Sequence, residues 1–203
     1  MAIQITGDPA ADKILDESPF ALLAGMMLDQ QYPMEHAFRG PAKVTDRFGS
    51  FDPAAIASAD PEEFAAMAAT TPAIHRFPGS MSAKLQELAR IVADDYDGDA
   101  SRLWTEAADG KDLLKRIMAL PGFGKQKAQI FVALLAKQRG VTPDGWEQAV
   151  GDYALDGFPL GRGRRGSGLP AEGARLQEGQ EGGRQDRRSG LTWRLVDGPC
   201  TRR

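Results

Sequence analysis

Apolar residues recur at helical spacing through most of the first 159 positions. Between Lys111 and Leu120 they fall at 113, 114, 117, 118 and 120, the stripe of an amphipathic helix. Pro121 ends it, because proline lacks the N–H and crowds the preceding turn. Ala128, Ile130, Phe131, Ala133, Leu134 and Leu135 then mark a second helix from about Lys125 to Arg139, buried on a broad face, with Gly140 as its C-cap. Nearer the N-terminus, Phe20, Leu22, Leu23, Met26, Met27 and Leu28 leave no polar face, which predicts a helix at the centre of the fold; Ser18 and Pro19 supply its N-cap and first-turn proline. Pro33 begins another helix through Phe38, so the polar run Asp29-Gln30-Gln31-Tyr32 forms a corner between the two.

The pattern continues in the same style. Val44 to Phe51 reads as a helix end and turn closed by Phe48-Gly49, and Asp52-Pro53 and Asp60-Pro61 open short helices near 53–58 and 61–68. Pro72 to Ser80 reads as a loop. Met81, Leu85, Leu88, Ile91 and Val92 then space out an amphipathic helix to about Tyr96, with Lys84 and Arg90 on its polar face. The fold class is all-α.

The turn at 120–128, Leu-Pro-Gly-Phe-Gly-Lys-Gln-Lys-Ala, carries the candidate chemistry. Gly122 and Gly124 can take positive φ and put no side chain in the way of a close ligand. The helix that follows starts with unpaired N–H groups, which attract phosphate, and Lys125 and Lys127 add charge beside them. Phe123 locks the turn by burying its ring. The bland alternative is a common glycine turn with two lysines on a solvated face.

Composition narrows the classes. A chain of 203 residues with 42% hydrophobic content suffices for one compact domain or two small lobes sharing a cleft. No apolar run reaches transmembrane length and Met1 to Asp8 lacks a signal-peptide pattern, so a cytoplasmic location and no membrane partner are expected. Cys200 is the single cysteine, and His36 and His75 are the only histidines, which disfavours structural zinc and excludes a four-cysteine iron–sulfur cluster. Residues 1–159 hold 15 Lys and Arg against 23 Asp and Glu, a net of −8, so any contact with a polyanion must be local. After Phe158-Pro159 the composition breaks: residues 160–203 hold 10 arginines, no lysine and 10 glycines, without helical or strand periodicity. The domain therefore reads as 1–159, followed by a Gly/Arg-rich, disordered tail. An RGG-like nucleic-acid tail is one reading of it. A GC-rich gene read in a shifted frame after about Pro159 is the other, and resequencing separates them.

Leu-Pro-Gly-Phe-Gly-x-x-x-Ala at 120–128 resembles the helix-hairpin-helix motif of the base-excision DNA glycosylases, the superfamily of endonuclease III and the adenine and alkyladenine glycosylases. The resemblance implies a two-lobed helical fold with double-stranded DNA crossing the cleft, acting as a monomer on a damaged base. It implies that the amides at Gly122, Phe123 and Gly124 hold a phosphate with Lys125 and Lys127, and that a monovalent cation sits on the Leu120 and Gly122 carbonyls. The 28–31 corner resembles the family's Leu-Ser-x-Gln or Leu-Gln-Gln segment, which makes Gln31 the residue that fills the gap left by the flipped base; Asp29, Tyr32, His36 and Gln126 are candidates for the base pocket. Arg76 or Lys84 is a further candidate for backbone contact, though a solvated face is the favoured reading of both.

The superfamily's essential aspartate lies 18 to 20 residues after a particular hairpin position. That position is Gln126, and eighteen residues on stands Asp144, which taken alone would read as the cap of a following helix. Cleaving an N-glycosidic bond develops an oxocarbenium-like cation that a fixed carboxylate stabilises, and the base must first leave the stack. Members that also cut the backbone carry a lysine at the Gln126 position to form a Schiff base. Glutamine there implies a monofunctional glycosylase. The rivals are a non-catalytic helix-hairpin-helix DNA-binding protein and a helical protein–protein module.

Overall fold

The computed structural model describes residues 3–155, and the expectations for 160–203 lie outside them. Every regular element among the described residues is helical, as the periodicity predicts. The chain signals its helix starts with one device used four times. Asp8 precedes α1 (Pro9–Glu17), Ser18 precedes α2 (Pro19–Leu28), Asp52 precedes α5 (Pro53–Ser58) and Asp60 precedes α6 (Pro61–Ala69). Each side chain accepts an orphan amide, from Ala10 at 3.0 Å, Ala21 at 3.1 Å, Ala55 at 2.9 Å and Glu62 at 2.9 Å respectively. A cap of this kind contributes about 1 kcal/mol, and the proline behind it loses no hydrogen bond.

Between these lie α3 (Met34–Ala37) and α4 (Gly40–Phe48), the latter ended by Gly49 at φ +82°. The long helix α7 (Pro78–Asp95) starts three residues before Met81, because Pro78 serves as its first-turn residue; the preceding loop is correspondingly shorter than the sequence suggests. Then come α8 (Arg102–Thr105), α9 (Gly110–Met118), α10 (Lys125–Arg139), α11 (Trp146–Val150) and a 3-10 turn at Gly151–Ala154. The bounds of α10 and its left-handed cap at Gly140, φ +68°, coincide with the prediction.

Helix α2 is the centre. Every residue from Phe20 to Leu28 is buried, as an element without a polar face requires. It packs against α1, α3, α4 and α7; α5 and α6 lie along α7, while α9, α10 and α11 pack on one another. Two glycines let the backbones close. A Cβ at Gly25 would lie 2.7 Å from Phe38 Cδ1, and one at Gly40 would lie 2.4 Å from Leu28 Cδ1. In the other helical group Phe131 receives Trp104 and Phe123 edge-on, with ring centroids 6.4 and 5.9 Å away. At the far end of α10, Arg139 Nη2 donates to the carbonyls of Leu15 (2.6 Å) and Asp16 (2.7 Å), tying α10 to the end of α1.

Gly110 opens α9 against the start of α11, where an added Cβ would meet Trp146 Cα at 2.4 Å and Trp146 N at 2.5 Å. Backbone cannot swing aside as a side chain can. Gly110→Ala is therefore expected to cost about 1–3 kcal/mol by overpacking, read as a lowered urea midpoint.

Candidate nucleic-acid interface

The turn between α9 and α10 is built from its own backbone. Leu120 N donates to Ile117 O at 3.2 Å, and Phe123 N donates to Leu120 O at 3.2 Å. Gly122 reverses the chain at φ +81°. Phe123 buries its ring against Phe131, as predicted. Gly124 differs from expectation: its φ is −84° and ψ 169°, so it is the extended N-cap of α10 and not a left-handed residue. What glycine provides at 124 is open space, since nothing lies within 4 Å of the place a Cβ would take. Gly124 offers no side chain to cap α10, and helix geometry gives the first amides no intrahelical acceptor.

The hairpin is seated on the C-terminal end of α2. A Cβ at Gly122 would lie 3.3 Å from Met27 Cγ, and Lys127 Nζ donates to the Met27 carbonyl at 3.1 Å. Lys127 is 6% exposed, with its ammonium 5.9 Å from the centre of the Phe123 ring. This corrects the expectation that Lys127 lies on the phosphate side: successive residues of a helix point about 100° apart, and position 127 faces the core. Lys125 and Gln126 are exposed on the outer side of the same turn. Gln126 Nε2 donates to the hydroxyl of Tyr153, at 3.0 Å, from the 3-10 turn that follows α11.

One residue pair beyond Met27 the chain turns the polar corner. Asp29 is 4% exposed and packs inward. Gln31 is exposed and sits at φ +55°, a left-handed conformation that costs a non-glycine residue on the order of 1 kcal/mol or more. The corner is held from outside by the segment leading into α7. His75 Nε2 donates to Gln30 O at 3.1 Å, Lys84 Nζ donates to Gln30 Oε1 at 3.0 Å, and Arg76 reaches Gln31 O at 3.5 Å. The Tyr32 ring lies 4.7 Å from His75 and 5.8 Å from His36, the latter exposed. Phe77 stands 46% exposed under the Arg76 guanidinium, 4.8 Å from its ring centre.

That segment is in turn fixed by α4. Arg47 donates to the carbonyls of Met67, Thr70 and Pro72 at 3.3, 2.8 and 2.7 Å, and Lys43 Nζ donates to Ala73 O at 2.8 Å. Burial, reinforced by Arg47 and Arg39, pulls the Lys43 pKa below its ordinary value. His75 is the corner's buried imidazole. Burial lowers its pKa most, the bond to Gln30 O opposes this, and the charges of Arg76, Lys127 and Lys84 lower it further. Nothing in the sequence distinguished His75 or Tyr153 from other ring residues, because their roles depend on partners 45 and 27 positions away.

Asp144 is not brought to the hairpin. Its carbonyl accepts the Gly110 amide at 2.8 Å, which places it at the opening turn of α9, and the hairpin lies beyond the other end of that nine-residue helix. At 1.5 Å per residue the helix spans about 13 Å. The physical reason is that α10 carries the chain away for fifteen residues before it can return. Nor does Asp144 cap α11, whose N-cap is Gly145 with no side-chain bond.

A glycine turn between two packed helices, the second starting at an extended glycine, defines a helix-hairpin-helix protein. The family model for the HhH-GPD superfamily of base excision DNA repair proteins matches residues 24–177, and the chain belongs to that superfamily. No curated protein matches it. Among solved structures it is similar to a trapped endonuclease III–DNA covalent intermediate, at 15% identity over 74% of this chain and 76% of that one, TM-score 0.42. It is similar also to a thermostable thymine-DNA glycosylase, at 19% identity over 66% of this chain and 65% of that one, TM-score 0.42.

The lowered pKa of His75 makes the unfolded chain the better proton acceptor, so its contribution to stability is present above the unfolded value of 6.5 and is lost as the pH falls through it. Urea unfolding of the wild type should therefore weaken between pH 7.5 and 5.5, and His75→Gln should flatten that part of the profile.

Proposed function

We propose that this chain is a monofunctional DNA glycosylase that hydrolyses the N-glycosidic bond of a damaged or mismatched base in double-stranded DNA and leaves an abasic site. The observation that carries the reading is the disposition of the three residues opening α10. Lys125 and Gln126 face outward, and the neighbouring amine at 127 is turned onto the Met27 carbonyl. A Schiff base needs an amine where Gln126 stands, and glutamine supplies none.

In this reading the amides at Gly122 and Gly124, with Lys125, hold a phosphate beside the flipped nucleotide; the Phe123 amide, expected among them, is taken by the Leu120 carbonyl. Gln31 enters the stack. Tyr32 and His36 are assigned to the base pocket. The Leu120 and Gly122 carbonyls would hold a monovalent cation that adds positive charge beside the phosphate; Leu120 O accepts the Phe123 N–H and keeps its second lone pair for it. For the carboxylate that stabilises the sugar cation we assign Asp152, exposed and one residue before the tyrosine that meets Gln126, in place of Asp144. The distance of Asp144 from the hairpin favours, as second reading, a DNA-binding protein without catalysis.

The test is incubation with duplexes carrying single damaged bases. Abasic sites revealed only by alkali, lost in Asp152→Asn and retained in Asp144→Asn, are the expected result; binding without abasic sites on any duplex supports the second reading. Borohydride should trap no covalent complex with the wild type and should trap one with Gln126→Lys. Trapping with the wild type would overturn the monofunctional assignment and point to Lys125.

The two lysines should also separate in salt dependence. Lys125→Gln is expected to reduce the slope of log K against log salt by about 0.9, the loss of one phosphate contact. Lys127→Met should leave the slope alone and lower the urea midpoint, because the Met27 carbonyl loses a buried donor at a cost of about 1–3 kcal/mol.

A further inference from the structure

His75 is held by two bonds that together fix its protonation. The Gln30 carbonyl can only accept, so Nε2 carries a proton; the Phe77 amide, 3.0 Å from Nδ1, can only donate, so Nδ1 carries none. The ring is 1% exposed and lies 4.7 Å from Tyr32. It thus joins three things: the residue before Gln31, the residue after it, and the turn that begins α7. Gln31 itself has a backbone conformation that a glutamine does not adopt unaided, and such a conformation persists only when its neighbours determine it.

We propose that His75 is a positioning residue for Gln31: the neutral imidazole, bonded to the Gln30 carbonyl and to the Phe77 amide, sets the left-handed corner from which Gln31 enters the DNA stack, and protonation of the ring releases it. The inference rests on the wedge role given to Gln31 above. A second proton at Nδ1 would face the Phe77 N–H and break that bond, so Phe77 and the corner would part. The groups facing the ring from each packed element are Arg76 beside it, Lys84 on α7, Lys127 on α10 and Tyr32 on the corner, with His36 beyond Tyr32. The three cations all favour the neutral form.

The experiment follows the full chain from pH 5 to 8 with two readouts. One is the fluorescence of 2-aminopurine beside an abasic-site analogue in a duplex, which reports insertion into the stack without any excision. The other is the nitrogen chemical shifts of the His75 ring. In the wild type, Nε2 should carry the proton at pH 7.5, and the insertion signal should fall in step with ring protonation, up to about tenfold per pH unit below the His75 pKa. His75→Gln keeps a donor for Gln30 but does not titrate; it should hold the insertion signal level across the range. Gln31→Ala should abolish the signal at every pH.

A proton on Nδ1 at pH 7.5, a pH dependence unchanged in His75→Gln, or one removed by His36→Asn instead would overturn the proposal. If His75→Gln does not fold, the wild-type ring titration against the insertion signal decides it. Because insertion is read without excision, a protein that inserts with the expected pH dependence and converts no damaged duplex would end the glycosylase reading and leave the role of His75 standing.

Discussion

The contact on which the candidate site depends is the seating of the hairpin on the end of α2. A helix that is buried all round ends with carbonyls that water cannot reach, and one of them, Met27 O, is met by the Lys127 ammonium from α10. Gly122 lies against the same methionine at a spacing that a side chain would crowd. The glycine turn and the polar corner thus both depend on the end of α2. A cation at a helix C-terminus also opposes the helix dipole favourably, so the lysine serves the end of α2 electrostatically as well as by hydrogen bonding.

The corner is over-determined from the other direction. Arg47 and Lys43, one turn apart on α4, collect carbonyls from 67 to 73 and so set the path into His75, Arg76 and Phe77. Those residues and Lys84 then grip Gln30 and Gln31 by backbone and side-chain oxygens. Rigid placement matters for the wedge role proposed for Gln31, because a side chain that displaces a base cannot yield when the stack pushes back. The cations around the turn and the corner, Lys125, Arg76 and Lys84, are few and local against the acidic charge of residues 1–159.

The local signals were fully legible. Ser18-Pro19, Asp52-Pro53 and Asp60-Pro61 named three helix starts, while the same device at Asp8-Pro9 went unread; the all-apolar run at 20–28 named the core helix, and Gly140 named the end of α10. Each is settled within one turn of helix by capping and by proline's fixed φ. The motif at 120–128 also named the hairpin. Lys127 reads as a surface lysine because its direction depends on what stands across the fold from it, and Gly124 reads as a left-handed glycine although the start of α10 takes it extended.

By itself, then, the sequence determined most of the helices, several of their caps, the turn and the superfamily, all of which depend on residues within a few positions of one another. Tertiary structure alone decided which face of α10 meets α2, that a buried histidine 45 positions away holds the corner, that Tyr153 reaches Gln126, and that fifteen residues of straight helix carry Asp144 away. Burial, and with it the charge state of His75 and the direction of Lys127, depends on the distance between elements, and spacing along the chain does not encode it.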